Sequence, residues 1–399
     1  MLIQMIFSLI IGILFGIITG LIPGVHINLI GAFLVSFSYK LIGSFNQIYI
    51  VIFITSMAIT HTFLDFIPSI FLGCPDTDTE LSILPGHEML KKGKGHEAVV
   101  LTAYGSIAAI FLLILIALPS ILIIPKIYLF VKKFIPYFLI LVSTMLIMLE
   151  KNKTQAFFIF CITGFLGLTI LNLNQSLISQ PLLPLLSGLF GGSMLITSIK
   201  NQVSIPIQEN PEKINAPIIG PLFGAAIASP LCSFLPGLGS GQAAIIGNMI
   251  SKNTQKGFLV LLGATNTLVM GFSFISLYTI SKTRTGAAVA LQNILRNSFS
   301  WKILLLVLGA AAIAGIVSFA LTILISKNLS KILFKFNYTT LSFVTLLGLG
   351  LLVFLVSGSL GFLILILSTL TGLYALSFKI KRTNMMGCLL VPVIIFYLF

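Results

Sequence analysis

The chain has 399 residues, of which 57% are hydrophobic and only 8% are charged, and its mean hydropathy is +1.13. This composition excludes a protein whose whole surface faces water, because soluble domains have about a quarter of their residues charged. The formal charge of +14 would suggest nucleic acid in a soluble protein. Here the basic residues stand in short loops at the ends of apolar runs, as membrane anchoring requires, so no nucleic-acid partner is expected. Examples are the groups Lys126 to Lys133, Lys327 to Lys335 and Lys379 to Arg382.

Apolar runs long enough, or nearly long enough, to cross a bilayer recur along the chain. In chain order they are Leu2–Ile22, Gln47–Leu64, Val99–Ile124, Phe134–Leu149, Ala156–Leu171, Gly257–Ile280, Ile303–Ile325, Leu341–Val356 and Leu360–Phe378. A helical span needs about 20 apolar residues, and shorter broken segments add to these runs, so we expect roughly ten to twelve membrane segments. No alternating pattern indicates a barrel. The predicted fold is an all-α polytopic protein of the cell membrane.

The first apolar run is expected to stay in the protein as its first span. It lacks a basic flank, and it ends at Pro23-Gly24 instead of a small-residue cleavage site. Within it Gly12, Gly16 and Gly20 repeat every four residues. Small residues at this spacing predict that another helix packs closely against this face.

The chain divides near its middle at a polar stretch, Lys200–Asn215, and similar motifs occur in the same order on either side. "LIPGVHINLIGA" from Leu21 matches "FLPGLGSGQAAIIG" from Phe234, and "THTFLDFIPSIFLG" from Thr60 matches "TNTLVMGFSFISLYTI" from Thr265. One internal duplication explains both matches. We therefore expect a first transmembrane repeat at residues 1–199, a linker at 200–215 and a second, pseudo-symmetric repeat at 216–399. Inverted and parallel orientations of the repeats both remain open.

Each predicted repeat carries a Pro-Gly pair inside an apolar stretch. The pair predicts a broken or re-entrant helix, because proline removes a hydrogen-bond donor and glycine permits a bend. Such backbone is tolerated at membrane depth where it lines a cavity, and free N–H groups at the start of a half-helix favour an anion. A kinked helix or a surface turn is the alternative for either motif alone. The predicted substrate-binding residues in these segments are Pro23, Gly24, His26, Asn28, Pro236, Gly237, Gly239, Ser240, Gly241 and Gln242.

A second pair of matched segments carries opposite charge. Asp76-Thr77-Asp78-Thr79 aligns with Lys282-Thr283-Arg284-Thr285 after a one-residue gap. Such groups can neutralise one another at membrane depth, although chance also explains a short alignment. Because a guanidinium binds a carboxylate through two parallel bonds, Arg284 is a further candidate for substrate binding, together with Thr265 and Asn266.

Asp65 lies within an apolar run, where an unpaired carboxylate is unfavourable, so its side chain must face the protein interior. His61 precedes it by four residues on the same helical face and can hold the carboxylate ionised or share a proton with it. We predict that His61, Asp65, Asp76 and Asp78 couple transport to Na⁺ or H⁺. The alternative is that Asp65 stands at a membrane end and reaches headgroup water.

Catalytic motifs are incomplete throughout the sequence. His87-Glu88 and His96-Glu97 each begin a zinc-protease motif, but Lys91 and Val100 stand where the second histidine is required. Phosphate-loop, dinucleotide and serine-nucleophile motifs are also incomplete. We therefore expect no catalytic residue, no metal site and no cofactor beyond the coupling ion, and the chain is not predicted to be an enzyme.

The two Pro-Gly segments and four other stretches resemble a known family. These stretches are "PDTDTELSILPGHEMLKKGKGHEAVVLTAYGS", "LLPLLSGLFG", "GATNTLVMGFSFISLYTISKTRTGAAVAL" and "RTNMMGCLLVPVI". Together with the Pro-Gly segments they make the chain similar to the large membrane subunit, or TctA-type permease, of the tripartite tricarboxylate transporters. It resembles a shorter, archaeal-like branch, and it reads "GCPDTDTELSILPGH" where better-known members have a glycine- and alanine-rich loop. The resemblance implies ion-driven uptake of carboxylates, with a small membrane subunit and an extracytoplasmic binding protein as partners.

The sequence thus predicts a secondary transporter that moves a small organic anion, a di- or tricarboxylate, by alternating access. Membrane lipids surround it, and a homo-oligomer remains open. A passive anion channel and an intramembrane lipid-processing enzyme are the alternatives from other classes.

Overall fold

The structure is a computed structural model that describes residues 1–22, 46–73, 79–131, 133–148, 150–174, 177–178, 180–200, 206–209, 211, 213–235, 238–295, 299–333, 337–378 and 380–398. None of these residues lies in a β-strand. They form 3₁₀ turns at Glu80–Ser82 and Arg382–Met386 and a π-helical segment at Ser187–Gly192. In chain order their α-helices are α1 Leu2–Leu21, α2 Gln47–Leu64, α3 Phe66–Phe71, α4 Ile83–Lys91, α5 Gly95–Val131, α6 Ile135–Met148, α7 Lys153–Leu171, α8 Leu182–Leu186, α9 Ser193–Lys200, α10 Ile219–Phe234, α11 Ser240–Ser251, α12 Gln255–Ile280, α13 Gly286–Leu295, α14 Trp301–Leu333, α15 Tyr338–Ser377 and α16 Gly387–Leu398.

Within the described part of the chain, eight helical segments are long and apolar enough to cross a membrane. They are Leu2–Leu21, Gln47–Phe71, Gly95–Val131, Lys153–Leu171, Leu182–Lys200, Gln255–Ile280, Trp301–Ile332 and Thr339–Ser377. Four shorter apolar helical segments accompany them, at Ile135–Met148, Ile219–Phe234, Gly286–Leu295 and Arg382–Leu398. The predicted all-α polytopic membrane fold is confirmed.

Several helices begin at a side-chain cap. Asn46 accepts a hydrogen bond from Ile48 N–H at the start of α2 (3.0 Å), and Thr254 accepts from Gly257 N–H at the start of α12 (3.3 Å). Asn152 and Asn337 cap α7 and α15 in the same way. These short polar side chains satisfy N–H groups that have no partner within the helix, so each marks where a membrane helix starts.

The chain forms two compact units, and each draws on both sides of the polar stretch at 200–215. The first unit comprises Met1–Phe71, Thr77–Tyr128 and Ile205–Lys335, and the second comprises Leu72–Asp76, Leu129–Ser204 and Phe336–Phe399. Apart from Leu72–Asp76, the earlier part of each half builds the first unit and the later part builds the second. An internal duplication would produce this order, and the division into two repeats stays a prediction.

In the first unit α1 packs closely against α2 through its glycines. A Cβ atom added to Gly16 would lie 2.5 Å from Thr60 Cβ and 2.7 Å from the Met57 carbonyl oxygen. Gly12 and Gly20 face α2 in the same way. Because only glycine leaves room for this approach, the predicted small-residue packing face is confirmed.

Glycines also allow α5 and α12 to touch backbone to backbone in the first unit. A Cβ atom on Gly105 would collide with the carbonyl oxygen of Val260, and one on Gly263 would collide with that of Thr102. Ser106 Oγ donates to the Gly263 carbonyl oxygen at 3.0 Å. This reciprocal contact fixes the register of α12, the helix that carries several of the predicted site residues.

Helices of the second unit also pack closely through glycines. Gly167 of α7 and Gly387 of α16 each pack against backbone of the other helix. Gly358 interrupts α15 with φ +69° and ψ −167°, a conformation that glycine adopts without strain. The interruption falls between the two apolar runs that the sequence predicts as separate spans.

Replacing Gly16 by alanine should destabilise the protein by about 1–3 kcal/mol, because the new methyl group would overlap Thr60 and the Met57 carbonyl. Gly309→Ala in α14 is the matched control, since a Cβ there meets no atom within 4 Å. Thermal unfolding of the purified proteins in detergent measures both effects. Equal melting temperatures for the two variants would contradict the close packing of α1 on α2.

Candidate substrate and ion site

The two most deeply buried spans of the described residues are Gln47–Phe71 and Gln255–Ile280. Each is 94% buried inside the protein over its most apolar window, compared with 17–72% for the other six. They pack against one another in the first unit, and they come from opposite sides of the 200–215 stretch. Polar side chains on these spans are therefore shielded from both lipid and water.

Asp65 stands where the first of these spans is interrupted. It ends α2 and precedes α3, and 4% of the residue is exposed. Pro68 explains the interruption: it has no N–H for the carbonyl of Leu64, and its ring crowds that carbonyl. The burial of Asp65 agrees with the expectation that its side chain faces the interior. Its carboxylate lies beside an irregular turn.

The Asp65 carboxylate is bonded to a side chain from the other half of the chain. Asn266 Nδ2 in α12 donates to Asp65 Oδ2 at 2.7 Å and lies 3.4 Å from the Thr62 carbonyl oxygen. Thr62 and Thr267 hydroxyl oxygens lie 3.3 Å apart one turn away. A hydrogen bond to an ionised carboxylate is among the stronger kinds, especially away from water. The two halves therefore meet at a buried polar centre formed by Thr62, Asp65, Asn266 and Thr267.

His61 lies one helical turn before Asp65 and is 2% exposed. Its Nδ1 is 3.3 Å from Thr19 Oγ1 of α1, and its carbonyl oxygen accepts from Asp65 N–H at 3.0 Å. Thr60 beside it lies 2.9 Å from Ser318 of α14. Hydroxyl groups of α1 and α14 thus contact α2 next to the polar centre.

The residues after the second Pro-Gly pair form the first turn of α11. Gly239 is the N-cap, and its N–H donates to Gln242 Oε1 at 2.6 Å. Gln242 is 1% exposed, and no described residue accepts a hydrogen bond from its Nε2. Ser240 and Gly241, also buried, complete the turn. A helix start with a free amide donor and small side chains is suited to a carboxylate or another anion.

Arg284 lies in the short loop between α12 and α13. It is half-buried, and no carboxylate of the described residues forms an ion pair with it. Thr283 and Thr285 on either side have buried hydroxyls that bond to no described residue, and Thr285 is 5% exposed. These two hydroxyls were not predicted from the sequence as donors, although both lie in the segment Lys282–Thr285 that aligns with Asp76–Thr79. In that alignment Thr79 corresponds to Thr285, and its hydroxyl is 2.6 Å from Ser69 Oγ.

Eight predicted residues fall outside the described residues: Pro23, Gly24, His26, Asn28, Asp76, Asp78, Pro236 and Gly237. The residues just before the two Pro-Gly pairs are described, and they are alike. Ile22 has φ −80° and ψ 115°, and Leu235 has φ −76° and ψ 126°. Each donates its N–H to the carbonyl four residues earlier at 3.1 Å. Both helices therefore stop at the extended residue that a following proline requires.

The histidine and glutamate pairs of the incomplete zinc motifs have other contacts. His96 Nδ1 lies 2.9 Å from Ser326 Oγ, and Glu97 forms an ion pair with Lys256 at 2.5 Å. Among the described residues no three His, Cys, Asp or Glu side chains gather as a metal site would require.

A cleft of about 340 Å³ opens elsewhere in the first unit, and none of the predicted site residues lines it. Its walls are Asn46, Gln47, Ile48, Val51, Leu295, Lys302, Ile303 and Leu306.

These features define a multi-pass, all-α membrane protein with a buried polar centre in its first unit. The chain belongs to the tripartite tricarboxylate transporter TctA family, whose model matches residues 6–387. An uncharacterized protein of Methanocaldococcus jannaschii is 30% identical over 379 residues, which are 92% of this chain and 93% of that protein. No solved structure matches the chain. The family places the protein among membrane permeases of tripartite transport systems and points to a transporter rather than an enzyme.

Replacing Asn266 by aspartate should destabilise the protein by about 1–3 kcal/mol at neutral pH, because two carboxylates would then face each other where one amide donor stood. The exchanged pair, Asp65→Asn with Asn266→Asp, should recover most of the loss, since an amide again meets a carboxylate. Chemical or thermal unfolding of the three purified proteins measures this. Asn293→Asp, at an exposed asparagine of α13, controls for the added charge. An exchanged pair no more stable than Asn266→Asp alone would contradict the direct bond.

Proposed function

We propose that the chain is a secondary transporter that moves a small organic anion, a di- or tricarboxylate, across the membrane by ion-coupled alternating access. The observation that carries the proposal is the bond between Asp65 and Asn266, 2.7 Å long and buried between the two most shielded spans. An ionisable residue inside a membrane protein is costly to keep there, and such residues mark ion and substrate pathways. Membership of the TctA family supports the same class of function.

The substrate carboxylate is assigned to the start of α11. Gln242 Nε2 supplies a buried donor without a partner among the described residues, and the first-turn N–H groups of Ser240 and Gly241 point the same way as the positive end of the helix dipole. Arg284, which forms no ion pair with a carboxylate of the described residues, is assigned to a second carboxylate of the substrate. Its guanidinium, flanked in sequence by the hydroxyls of Thr283 and Thr285, suits a carboxylate by charge and by hydrogen-bond geometry.

The coupling ion is assigned to Asp65 and His61. A carboxylate beside an interrupted helical turn offers oxygen atoms for Na⁺ or a site for H⁺, and a histidine one turn away can share the proton. Asn266 belongs to this coupling site in the proposal, because its amide donates to Asp65. Binding of the cation would change the charge of the polar centre between the two halves, which gives a physical route from ion binding to movement of the spans.

The partners proposed for the chain are those of a tripartite system, a small membrane subunit and an extracytoplasmic binding protein. The substrate class follows from the chemistry of the start of α11 and of Arg284, both of which favour carboxylates.

Replacing Gln242 by glutamate should reduce uptake of the substrate acid at least about tenfold, because a donor becomes a negative charge where the substrate carboxylate would bind. The substitution keeps an oxygen to accept from Gly239 N–H, so the start of α11 is preserved. Uptake of labelled di- and tricarboxylates into proteoliposomes, with and without a Na⁺ gradient, measures the effect.

Gln155→Glu is the matched control for this variant. Gln155 occupies the same position in the first turn of α7, three residues after its N-cap Asn152, and it belongs to the second unit. The control should transport like the wild type. Equal uptake by the Gln242→Glu and wild-type proteins, for every acid tested, would remove the start of α11 from the substrate site.

Replacing Asp65 by asparagine should abolish or shift the dependence of uptake on Na⁺ or pH, because the neutral amide can neither bind a proton nor neutralise a cation. Initial uptake rates measured across a series of Na⁺ concentrations and pH values reveal the change. A variant with the wild-type Na⁺ and pH profile would show that Asp65 has no coupling role.

A further inference from the structure

Arg382 is a base that the sequence places among membrane-surface anchors, but the structure turns it inward. It begins the 3₁₀ turn Arg382–Met386 ahead of α16 in the second unit, and its Nη2 faces the sulfur of Met194 in α9. Its Nη1 is buried and has no hydrogen-bond partner among the described residues. A thioether is a weak acceptor and carries no negative charge. Among the described residues, no group thus neutralises the charge of this guanidinium.

The buried carboxylate of Glu150 lies in this region, but its hydrogen bonds go to groups other than the Arg382 guanidinium. Glu150 is 8% exposed, and its Oε1 accepts from Lys381 N–H at 3.2 Å and from Asn384 Nδ2 at 3.1 Å. No described carboxylate forms an ion pair with Arg382. Asn384 is fully buried, and no described residue donates a hydrogen bond to its Oδ1. The 3₁₀ turn therefore presents a free donor at Arg382 and a free acceptor two residues later.

This cluster stands where helices of the second unit end. Glu150 lies between α6 and α7, and Arg382 follows the end of α15. The side chains of Lys151, Lys153 and Lys381 nearby in sequence are exposed. Exposed bases at helix ends attract anionic groups at the membrane surface, and a buried guanidinium binds a phosphate through parallel hydrogen bonds.

We propose that Arg382, with Asn384, binds a phosphate group at this end of the second unit. The guanidinium donates to phosphate oxygens, and Asn384 Oδ1 accepts from a hydroxyl of the same ligand. The phosphate comes either from the headgroup of an anionic phospholipid or from free inorganic phosphate. The site shares no residue with the transport site of the first unit and does not depend on the function proposed for it.

Native mass spectrometry of the purified protein with added phosphatidylglycerol, and calorimetric titration with inorganic phosphate, test the two sources. Arg382→Gln should weaken the binding of one or the other at least about tenfold, the loss expected for a hydrogen bond between charged groups. Lys381→Gln is the matched control, because it removes the same charge from the neighbouring exposed side chain while its backbone bond to Glu150 remains. It should weaken binding much less.

Arg382→Lys keeps the charge but removes the planar fork, and it serves if Arg382→Gln does not fold. It should retain general attraction to anionic lipid and lose the tightest-bound molecule. If phosphatidylglycerol binds tightly and its binding depends on Arg382, the phosphate belongs to a lipid headgroup. If only inorganic phosphate binds in an Arg382-dependent way, the ligand is free phosphate. If the folded variants bind both ligands as the wild type does, or if Lys381→Gln weakens binding equally, the proposal is wrong.

Discussion

The first unit depends on one constraint: a polar group that is removed from water must find its hydrogen-bond partner inside the protein. Asp65 meets this requirement through Asn266, 2.7 Å away on a helix from the other half of the chain. That bond can form only if α2 and α12 lie side by side at one register. The glycine contacts of α12 with α5, and of α1 with α2, hold the two helices in that position. Packing of small residues thus positions the helices that form the polar centre.

The sequence predicts the architecture well, because membrane helices follow from composition alone. Apolar length, the glycine spacing of α1 and the breaks before proline all appear in the described residues as expected. The burial of Asp65 was also predictable, since a lone carboxylate in an apolar run has to face inward. Its partner was not, because the sequence placed Asn266 among substrate contacts and nothing in a local pattern specifies which of several buried amides reaches a carboxylate some 200 residues away.

The inward position of Arg382 could not be predicted from the sequence. A base after an apolar run usually anchors the helix at the membrane surface, so the pattern gave no reason to treat Arg382 differently from Lys381. Only the packing of the 3₁₀ turn against α9 separates them, with one side chain exposed and the other placed against Met194. Similarly, the two proposed repeats diverge in detail: the hydroxyl of Thr79 bonds to Ser69, whereas that of Thr285, next to Arg284 in sequence, bonds to no described residue. Corresponding threonines of the two matched segments thus differ in their hydrogen bonding.

A carrier mechanism requires that the buried centre be reached from one side of the membrane at a time. Counterflow in proteoliposomes measures this requirement most directly: vesicles preloaded with an unlabelled di- or tricarboxylate are diluted into a trace of the labelled acid. If the protein works by alternating access, preloading will accelerate uptake of the labelled acid. The uptake rate will saturate with substrate concentration, and an imposed Na⁺ or H⁺ gradient will change that rate. Uptake that ignores the preloaded acid and rises without saturation, together with a conductance far above carrier turnover, would contradict alternating access and indicate a passive pore.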